Sequence, residues 1–475
     1  MLFNSLEFFV FLPLVFVLYW LIIPQRKSYQ NIVILLASYF FYAWWDYRFL
    51  SLIIISTLVD FVAGYFIHNT NSELRKKIFL YISISTNLGI LGFFKYFNFF
   101  IESWRDAWMS LGVDMDVNTL QIILPLGISF YTFQSMSYTL DIYNRKFTPT
   151  RNLLDFASYV AFFPQLVAGP IERASRLLPQ IASVKKFDYD QAIGGMRLIL
   201  WGFFKKVFIA DTLATYTKII FANPENYQGT ELLLGGIYFA IQIYGDFSGY
   251  SDIAIGTSKL FGVELMSNFK FPYFSRNISE YWKRWHISLT SWLNDYVYMP
   301  MAIRFRYWGR FGICLAIFLT FLISGLWHGA GWHFVVWGGI HGLLYIPLVY
   351  QRKVTSISGT QQDITFKVFD ILKMILTFLL VTFSLIFFRA QSIGDAFEYF
   401  YFMFSGPLIP GEMRQPLIYV IILLSLDFFF RKNERDIFAG IKNRWVRYLF
   451  YLVIFFVVFN TFPLESEKEF IYFQF

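Results

Sequence analysis

Apolar residues along this chain recur in long unbroken runs, not in the alternating or one-faced patterns of soluble strands and helices. A helix crossing a ~30 Å hydrocarbon core needs about 20 such residues. Twelve runs approach that length: residues 8–23, 31–45, 49–67, 78–94, 121–141, 190–210, 231–256, 311–326, 332–350, 370–388, 416–430 and 449–462. Several are short or carry glycine and polar side chains, so the pattern predicts eleven to thirteen spans. The expected fold is an all-α polytopic membrane protein, with all 475 residues in one integral-membrane domain. The first run lacks both a basic flank before it and a small-residue cleavage site after it, so it reads as a span and not a cleavable signal peptide. Two further stretches, 152–168 and 287–303, are semi-apolar and broken by proline. Irregular backbone at membrane depth is tolerated only where protein or a water-filled cavity surrounds it. These are candidate re-entrant segments; helices lying flat on the inner leaflet are the equal alternative.

Composition removes other classes. The chain is 57% hydrophobic, 22% aromatic and only 15% charged, whereas soluble domains carry about 25% charged residues. A soluble enzyme and a disordered chain are both excluded. The lone Cys314 excludes a disulfide framework and a cysteine-rich metal site. The net charge of +8 is explained by placement. With the N-terminus outside, 29 of the 40 Lys and Arg fall in the loops facing the cytoplasm, as the positive-inside rule requires. No nucleic-acid partner is needed to account for it. Segment 95–120 and the tail after Pro463, on the outer side, lean acidic. No repeat of 20–50 residues and no inverted hydropathy symmetry is present, which weighs against a repeat-built transporter.

Ionisable groups at membrane depth are expensive and need a partner or a role. His68 ends a run beside Asn69, Thr70 and Asn71, where water is at hand, and reads as an ordinary surface histidine. His328 sits in Leu326-Trp327-His328-Gly329-Ala330-Gly331-Trp332-His333, a turn on the outer side. Its small residues permit close approach of a ligand. An interfacial anchor in a tight turn is the plainer alternative. His286 follows Lys283, Arg284 and Trp285 and opens the second candidate re-entrant segment, while the two basic residues suit lipid headgroups. His333 and His341 are expected to pair with carbonyls or hydroxyls. A metal triad with His328 lacks a carboxylate or HExxH spacing, and no metal is expected. Two stretches are unusually polar for spans, the one from Pro125 to Ser135 with Gln134, and the one from Tyr244 to Asp252 with Asp246 and Asp252. Asp246 and Asp252 point to a hydrated cavity. No GxSxG and no phosphate-binding glycine loop occurs.

Taken together, these residues resemble the membrane-bound O-acyltransferase (MBOAT) family, in the bacterial branch that includes alginate O-acetyltransferase. The resemblance rests on the opening Met1-Leu2-Phe3-Asn4-Ser5, on PLGISFYTFQ from Pro125 and on FPQLVAGPIER from Phe163 to Arg173. It rests equally on YGDFSGYSDIAIG from Tyr244, NFKFPYFSRNISEYWKRWHISLTSWLNDYVY from Asn268 and LWHGAGW from Leu326. It covers nearly the whole chain, and the ordered set is specific where any single piece is weak. It implies about 11–12 transmembrane helices with re-entrant segments around a tunnel, in a bacterial inner membrane. It places the family's catalytic histidine on His328 and its second position on His286. Asp246, Asp252, Gln134, Arg173, Trp327 and Trp285 are then candidate substrate-binding residues. No bound cofactor is implied; acetyl-CoA or an acyl-carrier thioester would be the donor substrate. The implied acceptor is a polysaccharide hydroxyl, with an extracytoplasmic partner acetyltransferase.

Imidazole suits the reaction because its ordinary pKa lies close to working pH. His328 is the expected general base, and His286 is expected to orient the donor or polarise its carbonyl; an acyl-histidine intermediate fits equally well. Arg173, with Arg176, Lys185 and Lys186, could attract an anionic donor, or simply anchor the chain on its basic side. The alternatives are D-alanyl transfer to teichoic acid and a non-catalytic lipid or sugar transporter. The joint use of both histidines is a demanding expectation. They lie 42 residues apart, with a long span between them.

Overall fold

A computed structural model describes residues 1–22, 26–117, 119–351, 368–407, 413–433, 435, 437–462 and 470–471. Residues 463–469 and 472–475 of the tail and most of the 351–369 loop lie outside them. Among the described residues the regular elements are all helical. Most of the apolar runs return as helices within a few residues of their expected ends: Lys27–Asp46, Leu50–Asn69, Glu73–Leu91, Gly309–His328, Trp332–Tyr350, Val368–Arg389, Leu417–Phe430 and Arg444–Thr461. Run 121–141 differs, because its helix begins only at Ile128, after Gly127 turns the chain at φ 70°. The helices Phe97–Ser110, Asp211–Ala222 and Ile393–Ser405 had no counterpart among the expected spans. They are short, and the charges in each break the apolar run.

The distribution of side chains is inverted relative to a soluble protein. Leu21, Leu36, Phe404, Phe429, Phe455 and Phe459 point outward with more than half of their surface exposed. Exposed apolar side chains in such number need an apolar solvent. Polar groups are gathered inside instead. The chain falls into two compact units, residues 1–196 with 254–266, and residues 197–253 with 267–475.

In the first unit the helices Leu50–Asn69, Glu73–Leu91 and Ile128–Tyr143 are joined by a cage around Asp60, which is fully buried. Ser83 donates to its carboxylate at 2.6 Å, Asn87 at 2.9 Å, and Ser135 donates as well. Ser83 in turn bonds Thr139 at 2.8 Å, and Ser56 donates to Asn87 at 2.7 Å. Hydrogen bonds inside hydrocarbon-facing helices hold spans together where hydrophobic burial cannot, since lipid is as apolar as leucine. Segment 152–168 also belongs to this unit. Asn152 caps its helix Leu153–Val160, accepting from Leu154 N and Asp155 N, and the chain from Asp155 to Glu172 is buried on every side. A helix lying on a leaflet keeps one face open, and the chain from Asp155 to Glu172 keeps none. Gln134 donates to Tyr159 O at 2.8 Å and accepts from Gln165, tying helix Ile128–Tyr143 to that segment.

In the second unit, helices Gly309–His328 and Trp332–Tyr350 form a tight hairpin that sets the depth of His328. A Cβ added at Gly325 would collide with the Phe334 carbonyl, and one at Gly338 with the Phe321 carbonyl. Only glycine allows this backbone approach. The second re-entrant candidate is buried or half-buried through Asn294, and its exposed positions begin at Asp295.

Asp60→Leu should strand the Ser83, Asn87 and Ser135 donors, at about 1–3 kcal/mol for each buried group left unmatched. Thermal unfolding of the detergent-solubilised protein should show a large fall for Asp60→Leu and a small one for Asp60→Asn, which keeps an acceptor. Equal midpoints for wild type and the leucine variant would remove the cage from the fold's determinants.

Candidate active site

His286 occupies a position that polypeptide avoids. Its φ of 43° and ψ of 53° are left-handed, immediately before helix Ile287–Leu293. For a residue with a Cβ this costs about 1–2 kcal/mol and persists only where the surroundings over-determine it. The surroundings here are the irregular, bent chain around Asn268. Ile287 N donates to Asn268 O at 2.9 Å, and Lys270 N donates to Arg284 O at 2.9 Å. The Asn268 side chain accepts from Ser288 N at 3.3 Å and from Ser288 Oγ at 2.9 Å, and donates to Ser251 Oγ at 3.2 Å. One asparagine thus fixes the backbone on which His286 turns.

The approach to His286 is clamped by charge. Glu280 accepts from Arg276 N at 2.9 Å, from Arg276 Nε at 3.0 Å and from Arg284 Nη2 at 2.7 Å. Burial alone would raise the Glu280 carboxyl, but these donors outweigh it and hold it below the usual carboxylate range. Arg284, expected to meet lipid headgroups, is therefore spent on Glu280 and on Lys270 O.

His328 closes helix Gly309–His328, and the tertiary structure brings the two imidazoles to a ring-centroid separation of 6.2 Å. Both are almost fully buried. Trp327 lies against both, at 5.7 Å from His286 and 5.0 Å from His328. Phe247 meets His286 edge-on at 4.6 Å, while Trp337 and Phe388 flank His328 at 5.0 Å and 5.4 Å. Trp285 stands one layer further out, stacked on Tyr281 at 5.5 Å and against Phe269 at 5.0 Å. The enclosure is apolar and aromatic, with two groups able to exchange a proton. Such surroundings strengthen any polar interaction made inside them.

His341 is buried behind this wall in a fixed tautomer. Trp282 Nε1 can only donate, and it donates to His341 Nδ1 at 3.3 Å. The proton must then sit on Nε2, which donates to Ser384 Oγ at 2.9 Å, and Ser384 passes its own to Val381 O at 2.7 Å. His333 Nδ1 donates to Phe387 O at 3.0 Å. Both meet the expectation of carbonyl and hydroxyl partners, while His68 is exposed at the end of its helix. Among the described residues no cluster of three His, Cys, Asp or Glu is arranged for a metal.

Asp246 and Asp252, expected to face water, are each paired with a lysine. Lys206 contacts Asp246 at 2.6 Å and Asp211 at 2.9 Å. Lys205 contacts Asp252 at 2.7 Å and donates to Ser248 at 2.9 Å. Asp427 accepts from Tyr244 OH at 2.7 Å. The two lysines were passed over in sequence, although adjacent lysines inside run 190–210 were the available signal. They lie on Phe204–Ala210, where the helix widens to a π-helical turn, a feature frequent at functional sites. Asn268 opens one of the motifs behind the family resemblance, but nothing in the sequence marked its role beneath His286. Gln134 and Arg173 belong to the first unit; Arg173 is half-buried at the start of helix Ala174–Ile181.

A multi-pass helical membrane protein with two neighbouring histidines in an apolar aromatic enclosure is the class that fold and site define. The profile of the membrane-bound O-acyltransferase (MBOAT) family matches residues 148–386, a stretch that contains both histidines. The probable alginate O-acetylase AlgI of Pseudomonas putida is 36% identical, covering 100% of both chains. The peptidoglycan O-acetyltransferase of Helicobacter pylori is 29% identical over 100% of this chain and 98% of its own. The teichoic acid D-alanyltransferase of Bacillus subtilis is 31% identical over 46% of this chain and 57% of its own. The chain belongs to the MBOAT family and is an acyltransferase.

Replacing Asn268 with leucine should release the backbone at His286 while leaving the spans in place. Acyl transfer per inserted copy should fall by about 10²-fold, the usual penalty for ångström-scale misplacement. Wild-type transfer by that variant would show that the left-handed turn holds without Asn268.

Proposed function

We propose that the chain is an O-acetyltransferase that takes an acetyl group from a cytoplasmic thioester and delivers it for O-acetylation of an extracytoplasmic polysaccharide. It acts as one integral-membrane domain of the bacterial inner membrane, N-terminus outside. The observation that carries the reading is the 6.2 Å approach of His286 and His328, two residues that the charge pattern assigns to opposite sides. A passage between those sides lets a donor enter from one and an acceptor from the other.

In the proposed reaction, a ring nitrogen of His328 takes the proton of the acceptor hydroxyl as its oxygen attacks the thioester carbonyl. His286 donates a hydrogen bond to the carbonyl oxygen and stabilises the charge developing there. The C–O bond forms, the C–S bond breaks, and the thiolate leaves with the proton held by His328. Trp327 and Trp285 line the acyl path in this reading, and Asp246 and Asp252 act through Lys206 and Lys205 to shape it. Arg173, Arg176, Lys185 and Lys186 draw in the anionic donor, acetyl-CoA or an acyl-carrier thioester. An extracytoplasmic acetyltransferase receives the group or hands it to the polymer.

Acetyl is favoured over D-alanyl because the two O-acetylating relatives named above align over 100% of this chain and the D-alanyltransferases over 46% and 52% of it. General-base assistance typically supplies about 10²–10⁴-fold. Replacing His328 with alanine should therefore remove surface acetyl ester, and His286→Asn should lower it sharply, both with membrane insertion verified. Wild-type ester in the His328→Ala strain would end the mechanism, and loss of D-alanyl ester in place of acetyl would replace the transferred group.

A further inference from the structure

Phe470 and Ile471 are more than 140 residues past His328, yet they are built into the wall behind the histidine pair. Phe470 is 1% exposed and Ile471 4%. The Phe470 ring lies 4.7 Å from Tyr250 and 5.5 Å from Phe247. Phe247 is the ring set edge-on against His286 at 4.6 Å. The neighbouring Ile471 donates its backbone N–H to Asp246 Oδ2 at 2.7 Å, while Asp246 Oδ1 is paired with Lys206. Two consecutive residues therefore grip two consecutive residues, Asp246 and Phe247, of helix Gly229–Leu260.

A main-chain donor on a buried carboxylate fixes the path of the chain itself, and a charge-assisted bond of this kind is among the stronger ones available. It determines where Phe470 must stand. Phe470 then leaves Phe247 no room to swing away from His286, because a packed interior transmits displacement and does not absorb it. We propose that Phe470 and Ile471 form a positioning clamp for His286, holding Phe247 against the imidazole and closing that wall to water. The inference rests on the reading of His286 as the group that addresses the donor carbonyl.

A mere space-filler at this place would cost stability alone; a clamp also governs the fate of the acyl group. If the wall opens, water reaches the thioester: its oxygen adds to the carbonyl, the C–S bond breaks, and acetate and free thiol are released. The full-length purified protein is given acetyl-CoA, and free thiol is counted. In the native strain, surface acetyl ester is measured per inserted copy. Phe470→Ala should lower ester per copy by at least about 10-fold, within the range that misplacement commonly costs, and raise the ratio of free thiol to ester. Ile471→Pro, which removes the N–H and keeps the ring, should do the same, and Phe470→Trp should restore most transfer. Leu423→Ala, a fully buried position on helix Leu417–Phe430, is the control; it should reduce the amount of inserted protein without changing ester per copy or the ratio.

Wild-type ester and ratio in Phe470→Ala and Ile471→Pro would overturn the clamp, as would an equal loss in Leu423→Ala. Should the alanine variant fail to insert, Phe470→Leu and Ile471→Pro decide by the same two readouts. Transfer surviving in His328→Ala would instead sink the catalytic reading, whatever Phe470 does.

Discussion

An imidazole inside an apolar enclosure is placed by the shape of the rings around it and by the backbone that carries it. His286 is built to that constraint. Its left-handed backbone is a conformation the residue would leave if released, and Asn268, with the main-chain bonds to Ile287 and from Lys270 to Arg284, prevents release. The side chain is then caught between Phe247 and Trp327 and set at 6.2 Å from His328. The glycines that let helices Gly309–His328 and Trp332–Tyr350 touch backbone to backbone fix the other imidazole. The site is a consequence of two rigid supports, one polar and one made of missing side chains.

The same economy governs the rest of the interior. The buried and half-buried carboxylates described above are matched: Asp246 and Asp252 by lysines, Glu280 by two arginines, Asp60 by hydroxyls and an amide. Removing one partner from such a pair leaves an uncompensated charge, which is far costlier than never having had the pair. These networks therefore fix one arrangement of helices against the many that apolar packing alone would tolerate. In His341 the same logic sets a tautomer, since Trp282 can only give a proton and Ser384 must receive one.

Helix positions were largely legible in the sequence, because a run of about 20 apolar residues has few other uses. The misses follow from the same rule. Phe97–Ser110, Asp211–Ala222 and Ile393–Ser405 are helices whose charges break the run, and the start at Ile128 depends on a glycine turn that hydropathy does not register. The two histidines were singled out by their setting, and Trp327 and Trp285 by their neighbours in sequence. Asp246 and Asp252 were noticed as anomalous carboxylates, while Lys205 and Lys206, which complete them, were not. The supporting roles of Asn268 and Phe470 were not legible: nothing about an asparagine or a phenylalanine in isolation marks it as the support of a residue elsewhere in the chain.

Composition and periodicity alone determined that this chain lives in a bilayer as a bundle of helices, and its ordered motifs marked His286 and His328 as the pair to examine. Those conclusions are local, since hydropathy, proline and histidine can be read one window at a time. Which carboxylates are neutralised, which histidine has its proton placed, and how two imidazoles 42 residues apart come to face each other were decided by packing. The contacts responsible join segments that share no sequence neighbourhood, and only the folded interior, with water excluded, assigns each polar group its partner.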